Sequence, residues 1–203
     1  PHQEESGNRA IVALLTDSTH GDTDWAATYR YETNADGEHT DGAYEVWATR
    51  GMVRFRRFYA EGGGYGYEVI EQVGENPIAN QDPTAIATIA EEMEAAEKSG
   101  FGNPDPNLSF IEPHALSYPL AYEKIAQLFD SPNAPDIAVN PKEYQYGRQP
   151  GQHGSAGVVQ ARAPLVFSGP GIKSRGQTDT LCAQVDIAPT IAKLLGMPLI
   201  DGM

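Results

Sequence analysis

From Tyr44 to Val73 charged and apolar residues alternate with a period of two, interrupted by Gly62-Gly63-Gly64, and this pattern constrains the fold more than any other. In Tyr44–Thr49 and Met52–Phe55 the alternation puts Val53 and Phe55 on one face and Arg54 and Arg56 on the other. Arg56-Arg57 breaks the pattern, which predicts a β-bulge there. Beyond the glycine turn, Tyr67–Val73 resumes the same period. An antiparallel meander with one wet face, over about 43–74, accounts for all three pieces. The polar stretch Glu32–Gly42 reads as a loop before it.

The flanking segments read differently. Arg9–Thr16 (RAIVALLT) is a short apolar run ended by polar turn residues, which predicts a buried strand. Asp82-Pro83 supplies an N-cap and first-turn proline, and Ile86, Ile89, Ala90, Met93 and Ala96 follow at helical spacing up to Gly100. Phe101–Asn107 reads as a stiff linker. A second helix is expected over Leu120–Phe129, with Ala121, Ile125, Leu128 and Phe129 inward. In the last third, Asp136–Asn140 and Ala163–Ser168 read as short strands. Asp186 then caps a helix whose Ile187, Ile191, Leu194 and Leu195 share a face, ending at Gly196 with Pro198 beyond. Strands alternating with amphipathic helices predict an α/β sheet layered by helices, a single domain over residues 1–203, with the meander as an insertion.

Composition narrows the function. The chain has 203 residues with 14 basic and 28 acidic side chains, a net charge of −14, which argues against a general nucleic-acid-binding surface. Residues from Lys142 to Arg175 run against that trend, with five basic residues and one acidic, so an anionic ligand is expected there. The lone Cys182 makes no internal disulfide and lacks a nucleophile's electropositive setting, so a buried thiol is expected. No apolar run approaches the ~20 residues of a membrane span, and Pro1–Arg9 has no signal-peptide pattern.

The segment Gly147–Pro170 carries the most chemistry. His153 stands between Gln152 and Gly154 in a basic, glycine-flanked loop just before an expected strand. A histidine there suits a metal ligand or a general acid/base, and equally a hydrogen-bonded structural residue. The ordered series GQHGS, APLVFSGPGI and VDIAPTIAKLLGMP resembles the C-terminal part of the alkaline-phosphatase superfamily, nearest its type I phosphodiesterase/nucleotide pyrophosphatase branch. The resemblance covers Asp136–Pro198. It implies a partial alkaline-phosphatase-like sheet, a divalent two-metal centre with zinc as its cation, His153 as a late zinc ligand, and Asp186 and Thr190 as structural residues of a helix start.

The same family has an Asp-His-Gly element that supplies a ligand to each metal. Its nearest counterpart is Asp17-Ser18-Thr19-His20-Gly21, where two residues separate the aspartate from the histidine. Asp17 and His20 are thus candidate ligands, while Asp17-Ser18 also suits an Asx-type turn. The family's nucleophile, a Thr or Ser at a helix start after a strand ending in Asp-Gly, has no counterpart in these residues. A piece of a longer enzyme, or a half-domain without the complete centre, is therefore expected.

Other motifs favour structural roles. Glu112-Pro113-His114 reads as a capping turn. Arg54, Arg56 and Arg57 could attract phosphate, but Glu45, Glu68 and Glu71 on neighbouring strands favour cross-strand ion pairs. Tyr144 and Tyr146 beside Arg148 could stack on an aryl group or pack on the surface. Gly62–Gly66 joins two strands and opens no helix, so it is no phosphate loop. Two functions follow. One is a metal-dependent hydrolase of phosphate esters or phosphodiesters, acting on a small phosphorylated substrate with the rest of a longer chain as partner, and with neither a nucleic-acid polymer nor a membrane. The other is a non-catalytic, phosphatase-like module that packs on a partner.

Overall fold

The computed structural model describes residues 5–17, 19, 23–83, 117–142, 154–161, 163–176, 178, 180 and 182–198. The chain divides into two compact units, Pro1–Arg162 and Ala163–Met203. The first unit holds helix α1 (Glu5–Leu15), strands β1 (Thr23–Thr33), β2 (His39–Ala48), β3 (Gly51–Tyr59) and β4 (Tyr65–Gly74), helix α2 (Ala121–Leu128), strand β5 (Ala138–Pro141) and the one-turn helix α3 (Val158–Ala161). The second holds a 3-10 turn, Gln184–Asp186, that runs into helix α4 (Ile187–Leu194).

All five strands join one sheet in the order β4-β3-β2-β1-β5, each pair antiparallel. The fold is thus mixed α and β around an antiparallel sheet. The expected meander is present as β2, β3 and β4, and β1 extends it by hairpin pairing of Ala27 with Val46 and Tyr29 with Tyr44. The predicted Glu32–Gly42 loop shrinks to a tight turn, because Asn34 Oδ1 accepts from the N–H groups of Asp36 and Glu38 at 3.0 and 2.9 Å. At Gly42 a side chain has no room, since a Cβ would lie 1.9 Å from the Arg30 carbonyl oxygen where the β1–β2 register shifts. Gly62, Gly63 and Gly64 all have positive φ and turn the chain from β3 into β4. The irregularity expected at Arg56-Arg57 falls instead between Arg54 and Phe55, whose partners are Glu71 and Val69. The extra residue, Ile70, belongs to β4, so the break in the β3 pattern did not mark it.

One face of the sheet is the core. Ala27, Tyr44, Val46, Val53 and Phe55 are buried there beneath Ala121, Ile125 and Ala126 of α2, with Ile78 and Tyr118 closing the edge. Aromatic contacts knit the layers, with Tyr44 stacked on Phe55 at 5.0 Å and Phe55 edge-on to Tyr122 at 4.7 Å. Of the inward residues predicted for α2, Ala121 and Ile125 are buried and Phe129 packs against the core, but Leu128 is 43% exposed and Ala126 takes its place. The helix starts after Leu120 in the left-handed region, and Gln81 Oε1 accepts from the Ala121 N–H at 3.1 Å.

The other face carries charge, as the alternation predicts. Glu45, only 6% exposed, lies 3.4 Å from Arg30 and 3.6 Å from Arg54 and accepts from the Trp47 indole. Arg54 also reaches Glu32 and Glu71, and Arg56 pairs with Glu32. Arg57 points to the core side and makes two hydrogen bonds to Asp130, at 2.7 and 2.6 Å. Ion pairing is therefore the role of all three arginines.

Two expected strands are absent from the described structure. Arg9–Thr16 is the end of α1, which lies against β1, and not a buried strand. A short continuous apolar run does not distinguish the two by period. Among its described side chains Val12 is buried while Ile11 and Leu14 are half exposed, as suits a helix resting one side on a sheet. Ala163–Ser168 forms no strand either; Val166 is 82% exposed and the chain turns at Gly169–Ile172. Strand-forming residues without a neighbouring strand have no ladder to join. In α4 the predicted face is right in period, but Ile191, Leu194 and Leu195 are exposed and Ala192 is buried. Gly196, with positive φ, ends the helix as expected, and the Met197 N–H returns to the Ala192 carbonyl at 2.9 Å. The helical stripe from Ile86 to Ala96 and the linker Phe101–Asn107 lie outside the described residues.

Candidate functional site

The end of the sheet where β1 begins and β5 finishes gathers a polar network of four side chains from distant parts of the chain. Antiparallel pairing sets Thr23 beside Pro141 and Trp25 beside Asn140. Asp24, at the start of β1, accepts from Arg50 Nη1 at 2.8 Å and from the Tyr118 hydroxyl. Arg50 sits in the tight β2–β3 turn, and its Nη2 donates to the Pro77 carbonyl at 2.8 Å and to the Tyr118 oxygen at 3.2 Å. Asn140 completes the group. Its Nδ2 lies 3.5 Å from Asp24, while its Oδ1 accepts from the Ala156 N–H at 2.8 Å. The Val158 N–H donates to the Ser117 carbonyl at 2.8 Å, so residues 154–161 are tied to this end of the sheet at two points.

The electrostatics follow from burial. Tyr118 is 3% exposed; burial, then the adjacent Asp24 carboxylate, pushes its phenol far above the ordinary range. Burial acts to lower the Arg50 pKa, but Asp24 and Tyr118 outweigh it and hold the guanidinium above its usual value. Arg50 therefore stays a guanidinium and Tyr118 a neutral phenol. The bonds of the group run within it and out to the Pro77 carbonyl and the Ala156 N–H, which makes it a strut between elements.

Of the candidate metal ligands, Asp17 lies just beyond α1, exposed, with Oδ1 accepting from both the N–H and the hydroxyl of Thr19 at 2.8 Å. That is the Asx-type turn foreseen from the sequence. His20 and His153 lie outside the described residues. Among the described residues no group of three or more His, Cys, Asp or Glu side chains is close enough to share a metal ion. Glu112, His114, Tyr144, Tyr146 and Arg148 also lie outside them. The basic stretch from Lys142 to Arg175 spans the boundary between the units, with Lys142 in the first and Lys173 and Arg175 in the second.

Two further expectations change. Cys182 is exposed, contrary to the buried thiol predicted, because among the described residues of its segment no helix or strand carries it into a core; the thiol lies 3.4 Å from the Thr180 carbonyl. Asp186 makes no side-chain cap hydrogen bond to α4, contrary to the cap predicted, because its carboxylate turns back to accept from the Ala183 N–H at 2.8 Å and closes the 3-10 turn before the helix. The Asp24–Arg50–Tyr118–Asn140 group was invisible to motif reading, since its members are scattered over the chain and belong to no spacing pattern. No family model matches the chain, and neither a curated protein nor a solved structure does.

Proposed function

We propose that the chain is part of a metal-dependent hydrolase of phosphate esters or phosphodiesters of the alkaline-phosphatase type, with His153, Asp17 and His20 as ligands of a divalent cation, zinc by their donor set. In this reading the meander is an insertion beside an alkaline-phosphatase-like sheet, and the rest of a longer enzyme chain is the partner that supplies the nucleophile. The ordered motifs GQHGS, APLVFSGPGI and VDIAPTIAKLLGMP motivate it. One structural observation supports it most. Thr23, three residues after His20, is the register partner of Pro141, and Asn140 holds Ala156, three residues after His153. The described residues that follow each histidine in the sequence thus meet at one end of one sheet.

Asp17 suits the role chemically. A carboxylate oriented by two hydrogen bonds from Thr19 is pre-set for a cation, and imidazole nitrogens complete a common zinc donor set. Zinc in such a centre activates the attacking group and neutralises charge on the phosphoryl oxygens. Lys142, at the exit of β5, is the described member of the basic stretch in this unit and would draw the substrate phosphate toward it.

Zinc content by mass spectrometry tests the reading. Stoichiometric zinc in the purified chain, lost in His153→Ala and accompanied by a lower Tm in EDTA, is the expected result. Metal-free protein after zinc dialysis, with unfolding indifferent to chelator, would sink it. That outcome would favour the second reading, a non-catalytic module that packs on a partner. The exposed apolar residues Ile191, Leu194 and Leu195 of the second unit are the observation on its side.

A further inference from the structure

β4 is an edge strand of ten residues, and its outer backbone groups meet no other strand among the described residues. The opposite edge, β5, is guarded. It has four residues and ends at Pro141, which cannot donate to a ladder. β4 has neither protection, for it contains no proline and no lysine. It also exposes apolar side chains on both faces, with Val69 at 44%, Ile70 at 38% and Val73 at 58%. Val69 pairs with the core residue Phe55 and Val73 with Met52 on the reverse side, so an added strand would find apolar neighbours above and below.

Charge decides what such a strand must be. From Phe58 to Glu97 the chain has nine acidic residues and no lysine or arginine. Glu68 faces Arg56 in register, but Arg56 pairs with Glu32; Glu71 reaches Arg54 only at 3.9 Å. Glu61 and Glu75 flank the strand and are exposed. A second copy laid antiparallel on β4 would set carboxylates against carboxylates, which is destabilising for opposed cross-strand residues.

We propose that the β4 edge takes an extended, lysine- or arginine-bearing segment of a partner protein by strand addition, with backbone hydrogen bonds for affinity and Glu68 and Glu75 for charge selection. The probe is a fluorescent nine-residue peptide alternating valine or threonine with lysine, titrated into the full chain at low salt and read by anisotropy. Saturable binding is expected. It should weaken about tenfold when alternate peptide nitrogens are methylated, and by a similar factor in Glu68→Lys/Glu75→Lys. Both substitutions are at exposed positions and leave the Arg54–Glu71 pair in place, and circular dichroism checks that the variant keeps its fold. Absence of saturable binding overturns the proposal. So does equal binding of the methylated peptide, which would show attraction by charge alone, or equal binding by the variant. Concentration-dependent dimerisation of the chain alone, abolished by the same double variant, would assign the edge to a second copy and equally overturn it.

Discussion

At the residue scale, Asp24 matters most because three partners from distant parts of the chain depend on it. Its carboxylate is only 10% exposed and bonds Arg50 and Tyr118, with Asn140 at 3.5 Å. Asp24→Ala leaves the Arg50 guanidinium without its counter-charge. Removing one partner of a fully buried pair costs roughly 3–5 kcal/mol, but Arg50 keeps 31% of its side chain in water. A loss of about 2–3 kcal/mol is therefore expected, read as a shift in the urea midpoint. Tyr118→Phe removes only the hydroxyl and should cost about 1–2 kcal/mol. Equal losses in the two variants would show that the ion pair contributes nothing beyond the phenol. Asp17 stands in contrast, since its local bonds to Thr19 were legible from the order Asp-Ser-Thr, whereas the Asp24 group depends on partners 26, 94 and 116 residues away.

At the element scale, α2 is the cover of the core face and its burial is uneven. Ile125 is 3% exposed and Leu128 43% exposed, although both sit on the stripe that periodicity selects. Ile125→Ala should cost about 2–4 kcal/mol, through lost transfer energy and the cavity left against the sheet. Leu128→Ala should cost under about 1 kcal/mol, because most of its gain from burial was never made. Thermal unfolding of both variants checks this, and similar shifts would mean that α2 packs by another face. Strands were the most legible elements. Alternation in Tyr44–Val73 identified three of them, since a half-buried sheet imposes period two on its side chains. It did not identify β1, whose Trp25–Thr28 run is buried on both faces, and a strand of that kind has no alternation. Arg9–Thr16 failed for the converse reason, since its neighbours upstream complete a helix of 11 residues that the apolar run alone does not reveal.

At the scale of the whole molecule, the core of the first unit includes tyrosines whose phenols burial keeps neutral. Burial raises Tyr44 to about 12, and burial also raises Tyr67 and Tyr118. In the unfolded chain these phenols ionise near pH 10, while the folded chain still keeps their protons. The unfolded state therefore binds fewer protons above pH 10, and stability falls as pH rises from there toward 12. Below pH 10 their contribution is fully present. Urea midpoints across that range should decline, and Tyr44→Phe should flatten the decline; a slope unchanged by the substitution would assign the effect to other groups. The sequence alone determined the meander, its wet ionic face, the glycine turns and the α2 and α4 helices, because period, turn chemistry and capping act over a few neighbouring residues. Only the tertiary structure decided that Arg9–Thr16 is helical, that Ala163–Ser168 lacks a ladder, and that Asp24, Arg50, Tyr118 and Asn140 meet. Burial and charge pairing of that kind depend on which distant segments share a sheet end, and local pattern carries no record of it.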